Sequence, residues 1–167
     1  KMKVEVWGKK KILSVLAIFL MVISLLTIRA IDARASEGVP MLDGSFLIND
    51  SESIGYDVKI TRGEDLQAGY SKLVRLGPGV IYAGGTTLAQ RIVESVQVAV
   101  IIERAKNAQD EWHFVTTWRK ENLNADGVTS NQRLEVEGGW YYRVVSTHSA
   151  GNDISSSFTD GLFIEKP

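Results

Sequence analysis

From residue 80 onward, apolar and polar positions alternate with a period of two. Val96, Val98, Val100 and Ile102 fall on one side, and Gln97, Ala99, Ile101 and Glu103 on the other, which is the pattern of a half-buried β-strand. After a polar stretch at 106–110 that reads as a hairpin loop, Trp112, Phe114, Thr116 and Trp118 alternate with His113, Val115, Thr117 and Arg119. Upstream, residues 80–83 and 86–92 read as two shorter strands interrupted by Gly84 and Gly85. Downstream, residues 121–130 read as a polar connection, and Leu134 and Val136 mark another strand. Gly138 and Gly139 supply a turn, residues 140–148 a long strand, residues 151–153 a second turn, and residues 162–164 a last strand. No window beyond residue 35 combines a helical period with caps, so the pattern predicts an all-β domain.

Residues 36–79 are less regular. Five glycines and Pro40 precede the Gly77-Pro78-Gly79 turn, and the apolar pieces at 46–48 and 56–60 read as edge strands of the same domain, whose core is residues 80–167.

The first 35 residues have a different character. Lys9, Lys10 and Lys11 precede a 17-residue apolar run, 12–28, and Ala33 and Ala35 then supply small residues before Ser36. A basic n-region, an apolar h-region and a small-x-small site predict a signal-peptide helix over 1–35 that is removed on export. The run is short for a span of a hydrocarbon core of about 30 Å, so the expectation is a secreted or cell-surface-associated domain without stable membrane insertion.

Removing that segment changes the charge. It holds seven of the 19 Lys/Arg and two of the 20 Asp/Glu, so residues 36–167 carry 12 basic and 18 acidic side chains. An acidic surface without a basic cluster excludes nucleic acid as an expected partner, since phosphates are held by Lys and Arg. The chain has no cysteine. Thiol catalysis and thiolate metal sites are therefore excluded, and the absence of disulfides fits an exported Gram-positive bacterial protein better than a small secreted eukaryotic domain.

The run from Leu134 through Trp140, Tyr142, Val144 and Ser146 to Gly151 resembles the E-to-F region of fibronectin type III and related immunoglobulin-like sandwiches. The resemblance implies a single antiparallel β-sandwich, with the 96–118 hairpin as two of its strands. It also implies a corner tyrosine whose hydroxyl bonds back to the backbone; Trp140 stands at that place, with Tyr141 or Tyr142 as substitutes. Over its whole length, through the segments 41–45, 76–87, 141–144 and 148–150, the chain resembles a family of small secreted Firmicutes proteins with a domain of unknown function. That likeness implies export and carries no functional residues.

Catalytic constellations are sparse. The two histidines, His113 and His148, lack metal-ligand spacing and read as polar surface residues, and no nucleophile elbow or phosphate loop is present. A serine-histidine site drawing on His148 would define an envelope hydrolase, and a receptor-directed secreted effector is a further alternative. The acidic stretch Asn49, Asp50, Glu52 and Asp57 has oxygen ligands for calcium but not the register of a calcium loop, so no metal or cofactor is expected. The aromatics point elsewhere: alternation assigns Trp112, Phe114, Trp140, Tyr142 and Val144 to the core. Tyr141, Arg143, His113 and Arg119 then remain as an exposed aromatic and basic surface, the composition of a binding patch. The expectation is a non-catalytic binding module for an extracellular protein or glycan.

Overall fold

The computed structural model describes residues 38–57 and 63–167, and the expected signal peptide lies outside them. Nine strands follow in order: β1 (Val39–Pro40), β2 (Phe46–Ile48), β3 (Glu52–Tyr56), β4 (Leu66–Gly77), β5 (Val80–Ala105), β6 (His113–Glu135), β7 (Trp140–Ala150), β8 (Asp153–Phe158) and β9 (Gly161–Ile164). Among the described residues there is no helix. All nine strands belong to one curled sheet of order β1-β2-β9-β7-β5-β4-β3, with β6 added to β5 and β8 to β7. Every pairing is antiparallel except the short one between β2 and β9.

The curl is made by the two longest strands. The first part of β5 lies between β4 and β6, and its second part between β7 and β6. Between the two parts the ladder steps from Leu88↔Gly127 to Val93↔Ala125, so β5 takes five residue steps where β6 takes two. Such a mismatch bends a ribbon sharply. Asn124 adopts a left-handed φ of 48° beside the bend, and the Asn122 amide donates to the Gly127 carbonyl at 2.9 Å across it.

Folding the ribbon over brings its two arms face to face. Leu73, Ile81 and Ala83 from one arm meet Val96, Val98, Val100, Ile102, Tyr142, Val144, Leu162 and Ile164 from the other, and all are fully buried in one cluster. The alternation at 96–102 thus buries the side expected. The two arms belong to one continuous sheet rather than to two separate ones.

Three sequence expectations are corrected. The polar stretch 121–130 is not a loop: it continues β6 through the bend, because its backbone pairs with β5, its polar side chains face outward and Val128 turns into the core. The irregular 36–79 segment contains β4, twelve residues long, whose inward positions include Gly69 and Ser71 and so carry no apolar period. Phe114 is not core but 64% exposed. Ile102 pairs with Thr116 while the next residue, Glu103, pairs with Phe114; this bulge turns Phe114 to the outer side and leaves Trp118 against the core.

Candidate functional site

Two side-chain clusters and one surface account for the residues singled out from sequence. The first cluster surrounds Arg143 on β7. Its register partner Glu103 accepts from the guanidinium Nε at 2.7 Å, and Asp43 in the β1–β2 loop pairs with Nη1. The guanidinium lies 4.3 Å from the Trp112 ring centre and 5.9 Å from that of Phe158, a cation–π arrangement worth about 1 to 2 kcal/mol when desolvated. Only 12% of the Arg143 side chain remains exposed. Burial acts to raise the Asp43 carboxyl, but the bonds from Ser45 and the Arg143 guanidinium outweigh it and hold the group below its ordinary range. Tyr141 completes the cluster, packing with Met41, Leu47, Ala105 and Trp112 and meeting the Phe163 ring at a 58° tilt with centres 5.1 Å apart. The Trp112 Nε1 is buried without a hydrogen-bond partner.

Arg143 is therefore a clamp that pins the β1–β2 loop to the sheet. Replacing it with alanine is expected to cost about 3 kcal/mol, since two partly buried carboxylates lose their cation. Faster proteolysis confined to residues 38–48 would identify the clamp, and a variant with unchanged stability would refute it.

The other residues of the expected patch lie apart. His113 is exposed and pairs with Asp110 at 3.1 Å, and Arg119 sits opposite Ala99, four residues along β5 from Glu103, or about 13 Å from the Arg143 row. The structure joins Tyr141 to Arg143 and leaves His113 and Arg119 outside their cluster.

The second cluster centres on His148, which is not a surface residue but fully buried between the two arms. Its Nδ1 is 2.9 Å from the Thr87 hydroxyl, which donates to the Gln97 carbonyl at 2.8 Å. The ring proton is thereby placed on Nδ1, and Nε2 accepts from the Ser157 hydroxyl at 2.7 Å. Ser71 continues the chain, 2.7 Å from Ser157 and 2.8 Å from Ser146. Burial pushes the His148 pKa down to about 4, with Asp57 acting weakly the other way. The Ser157–His148 contact has the length of a nucleophile–base pair. Both residues are shut inside, however, and Nδ1 faces a hydroxyl rather than a carboxylate. The cluster is a polar rivet between the arms.

The expected oxygen ligands also separate. Asn49 accepts from Arg75, Glu52 pairs with Lys72 at 3.1 Å, and Asp57 accepts from Ser155. Among the described residues no group of three or more His, Asp or Glu could hold a metal ion.

What remains is the outer surface of the arm formed by β6, β5, β7 and β8. Its register rows are Phe114–Glu103–Arg143, Thr117–Ile101–Val145–Phe158, Arg119–Ala99–Thr147–Ser156 and Glu121–Gln97–Ser149–Ile154. Phe114, Phe158 and Ile154 are 64%, 40% and 74% exposed. Sequence reasoning missed this surface because the bulge that exposes Phe114 has no local signature.

The Tyr142 hydroxyl donates to the Glu137 carbonyl, five residues upstream, at 2.7 Å. It is a local bond from the start of β7 back to the turn before it, made two residues after Trp140. No protein-family model, curated protein or solved structure matches the chain.

Proposed function

We propose that the domain is an exported, non-catalytic binding module that recognises a protein at a cell surface through the outer side of the β6-β5-β7-β8 arm. The observation that carries this reading is the grouping of Phe114, Phe158 and Ile154 on one side of one arm, around the half-buried Ile101 and Val145. Aromatic and aliphatic side chains held on a rigid sheet with polar neighbours are what the buried centre of an interface requires. Enzymatic readings find less support, since the histidine nearest a serine is closed to solvent. The export step rests on the n-region, h-region and small-x-small pattern. Kinship with fibronectin type III-like sandwiches rests on the 134–151 sequence pattern, with the curled sheet standing in for two separate ones.

The test compares the protein with its Phe114→Ser/Phe158→Ser variant for binding to intact cells of the producing strain. Loss of binding by about tenfold or more is expected; the variant loses some stability through Phe158, which is 40% exposed and 5.9 Å from the Arg143 guanidinium, so binding is read where circular dichroism shows it folded. Treating the cells with protease should abolish binding, whereas periodate oxidation of their glycans should not. Equal binding by the variant would refute the reading, and sensitivity to periodate alone would make the partner a glycan.

A further inference from the structure

The outer surface does not end at the Glu121–Gln97–Ser149–Ile154 row. Beyond it, at the bend of β5, lies a cavity of about 520 Å³ whose lining includes Asp65, Ile92, Val93, Glu94, Glu121 and Leu123. Glu121 belongs to both the row and the cavity, so the two are continuous.

The cavity has a definite chemistry. Ile92 and Leu123 are 70% and 66% exposed, and with Val93 they give it aliphatic walls. The Asp65 carboxylate is already taken by Arg91, whose Nε and Nη2 lie 2.8 and 2.7 Å from the same oxygen. Two carboxylates, Glu94 and Glu121, remain against no further cation of the lining. Glu121 is held in place through Oε1, which accepts from Ser95 at 2.6 Å and from Gln97 at 3.1 Å, leaving Oε2 outside both bonds. A hollow of this kind favours a group with an apolar stem and a cationic head: the stem covers Ile92 and Leu123 while the head reaches the carboxylates. An acidic ligand would meet two like charges, and a purely aliphatic one would strip water from them without compensation.

We propose that this cavity receives a lysine or arginine side chain of the partner polypeptide, placed beside the apolar surface so that one partner engages both. The inference rests on the reading that the partner is a protein, but the cavity can be tested without that partner. The Asp65–Arg91 pair shows within the chain itself that this rim accommodates a guanidinium against a carboxylate.

The probe is N-acetyl-lysine amide, titrated into the isotope-labelled protein and followed by NMR at the methyl groups of Ile92, Val93 and Leu123 and the amide of Gly151. N-acetyl-norleucine amide, which keeps the stem and lacks the charge, and calcium chloride are titrated in parallel. The lysine derivative is expected to shift these resonances saturably, and rising ionic strength to weaken it. The Glu94→Gln/Glu121→Gln variant should bind it about tenfold more weakly, because each partly exposed ion pair contributes up to about 1 kcal/mol. Glutamine at 121 can still accept from Ser95 and Gln97, so the bend should keep its wild-type amide spectrum. Absence of saturable shifts, norleucine binding as tightly as lysine, an unaffected double variant, or saturation by calcium alone would each overturn the assignment. If the lysine derivative binds while the Phe114→Ser/Phe158→Ser variant still attaches to cells, the cavity stands and the apolar reading falls.

Discussion

Changing Gly55 to alanine is expected to destabilise the domain by about 3 kcal/mol or more, the upper range for steric overpacking in a closed interior. Gly55 sits in β3 where that strand passes over the end of β8, and a Cβ there would fall on the carbonyl oxygen of Phe158. The obstruction is backbone rather than the end of a flexible side chain, so it cannot move aside without shifting β8 from β7. Gly127→Ala is the matched control. Its Cβ would lie 3.3 Å from a terminal Leu88 carbon, which can rotate, and a cost within about 1 kcal/mol is expected. Urea unfolding midpoints of the two variants and the wild type decide the matter. A Gly55→Ala protein as stable as the control would mean that β3 does not lie against β8.

Acid is expected to weaken the domain through His148. The folded-state pKa of about 4 lies below the unfolded value of 6.5, so the native state holds this ring neutral while the unfolded chain takes up a proton. The contribution is therefore complete above about pH 6.5 and is lost as pH falls towards 4, amounting to about 3 kcal/mol. The structural cause is desolvation: the ring is buried between the arms, where a charged imidazolium loses its water and the Asp57 charge offsets only part of that loss. Comparing unfolding free energies at about pH 7.5 and about pH 4.5 isolates the effect if His148→Gln is measured beside the wild type. Carboxylates such as Asp43, Asp110 and Glu137, all held below their ordinary values, titrate in both proteins and cancel. The glutamine variant should start less stable and lose about 2 kcal/mol less between the two conditions. Parallel pH curves would show that the ring is not buried neutral.

Much of this architecture is legible in the residue pattern, and the gaps have physical causes. The stretch from Val96 to Ile102 announces its strand because its inner side is entirely β-branched. The turns at Gly139 and Gly151 are equally plain, since φ values of 86° and 56° are open to glycine and strained for most other residues. β4 is hidden because two of its inward positions are Gly69 and Ser71, chosen for closeness and hydrogen bonding rather than oiliness. His148 shows the same limit. Its strand places Tyr142, Val144, Ser146, His148 and Ala150 on one inward side, and that period was available. A histidine beside a turn nevertheless reads as polar surface until Thr87 and Ser157 arrive from strands 61 and nine residues away. The burial of Arg143 is hidden for a related reason: Asp43 lies 100 residues upstream, and no local pattern can forecast that it pairs with the guanidinium.

The pairing of β2 with β9 sets a timetable for the chain's own assembly. Leu47 and Ile48 find their partners at Gly161 and Leu162, more than a hundred residues later, and Phe46 likewise waits for Asp160, 114 residues on, to accept its amide proton. A polypeptide that appears N-terminus first carries the β1–β2 pair with its other edge open until residues 161–162 have emerged, so this contact forms after the β5–β6 and β5–β7 pairings have become possible.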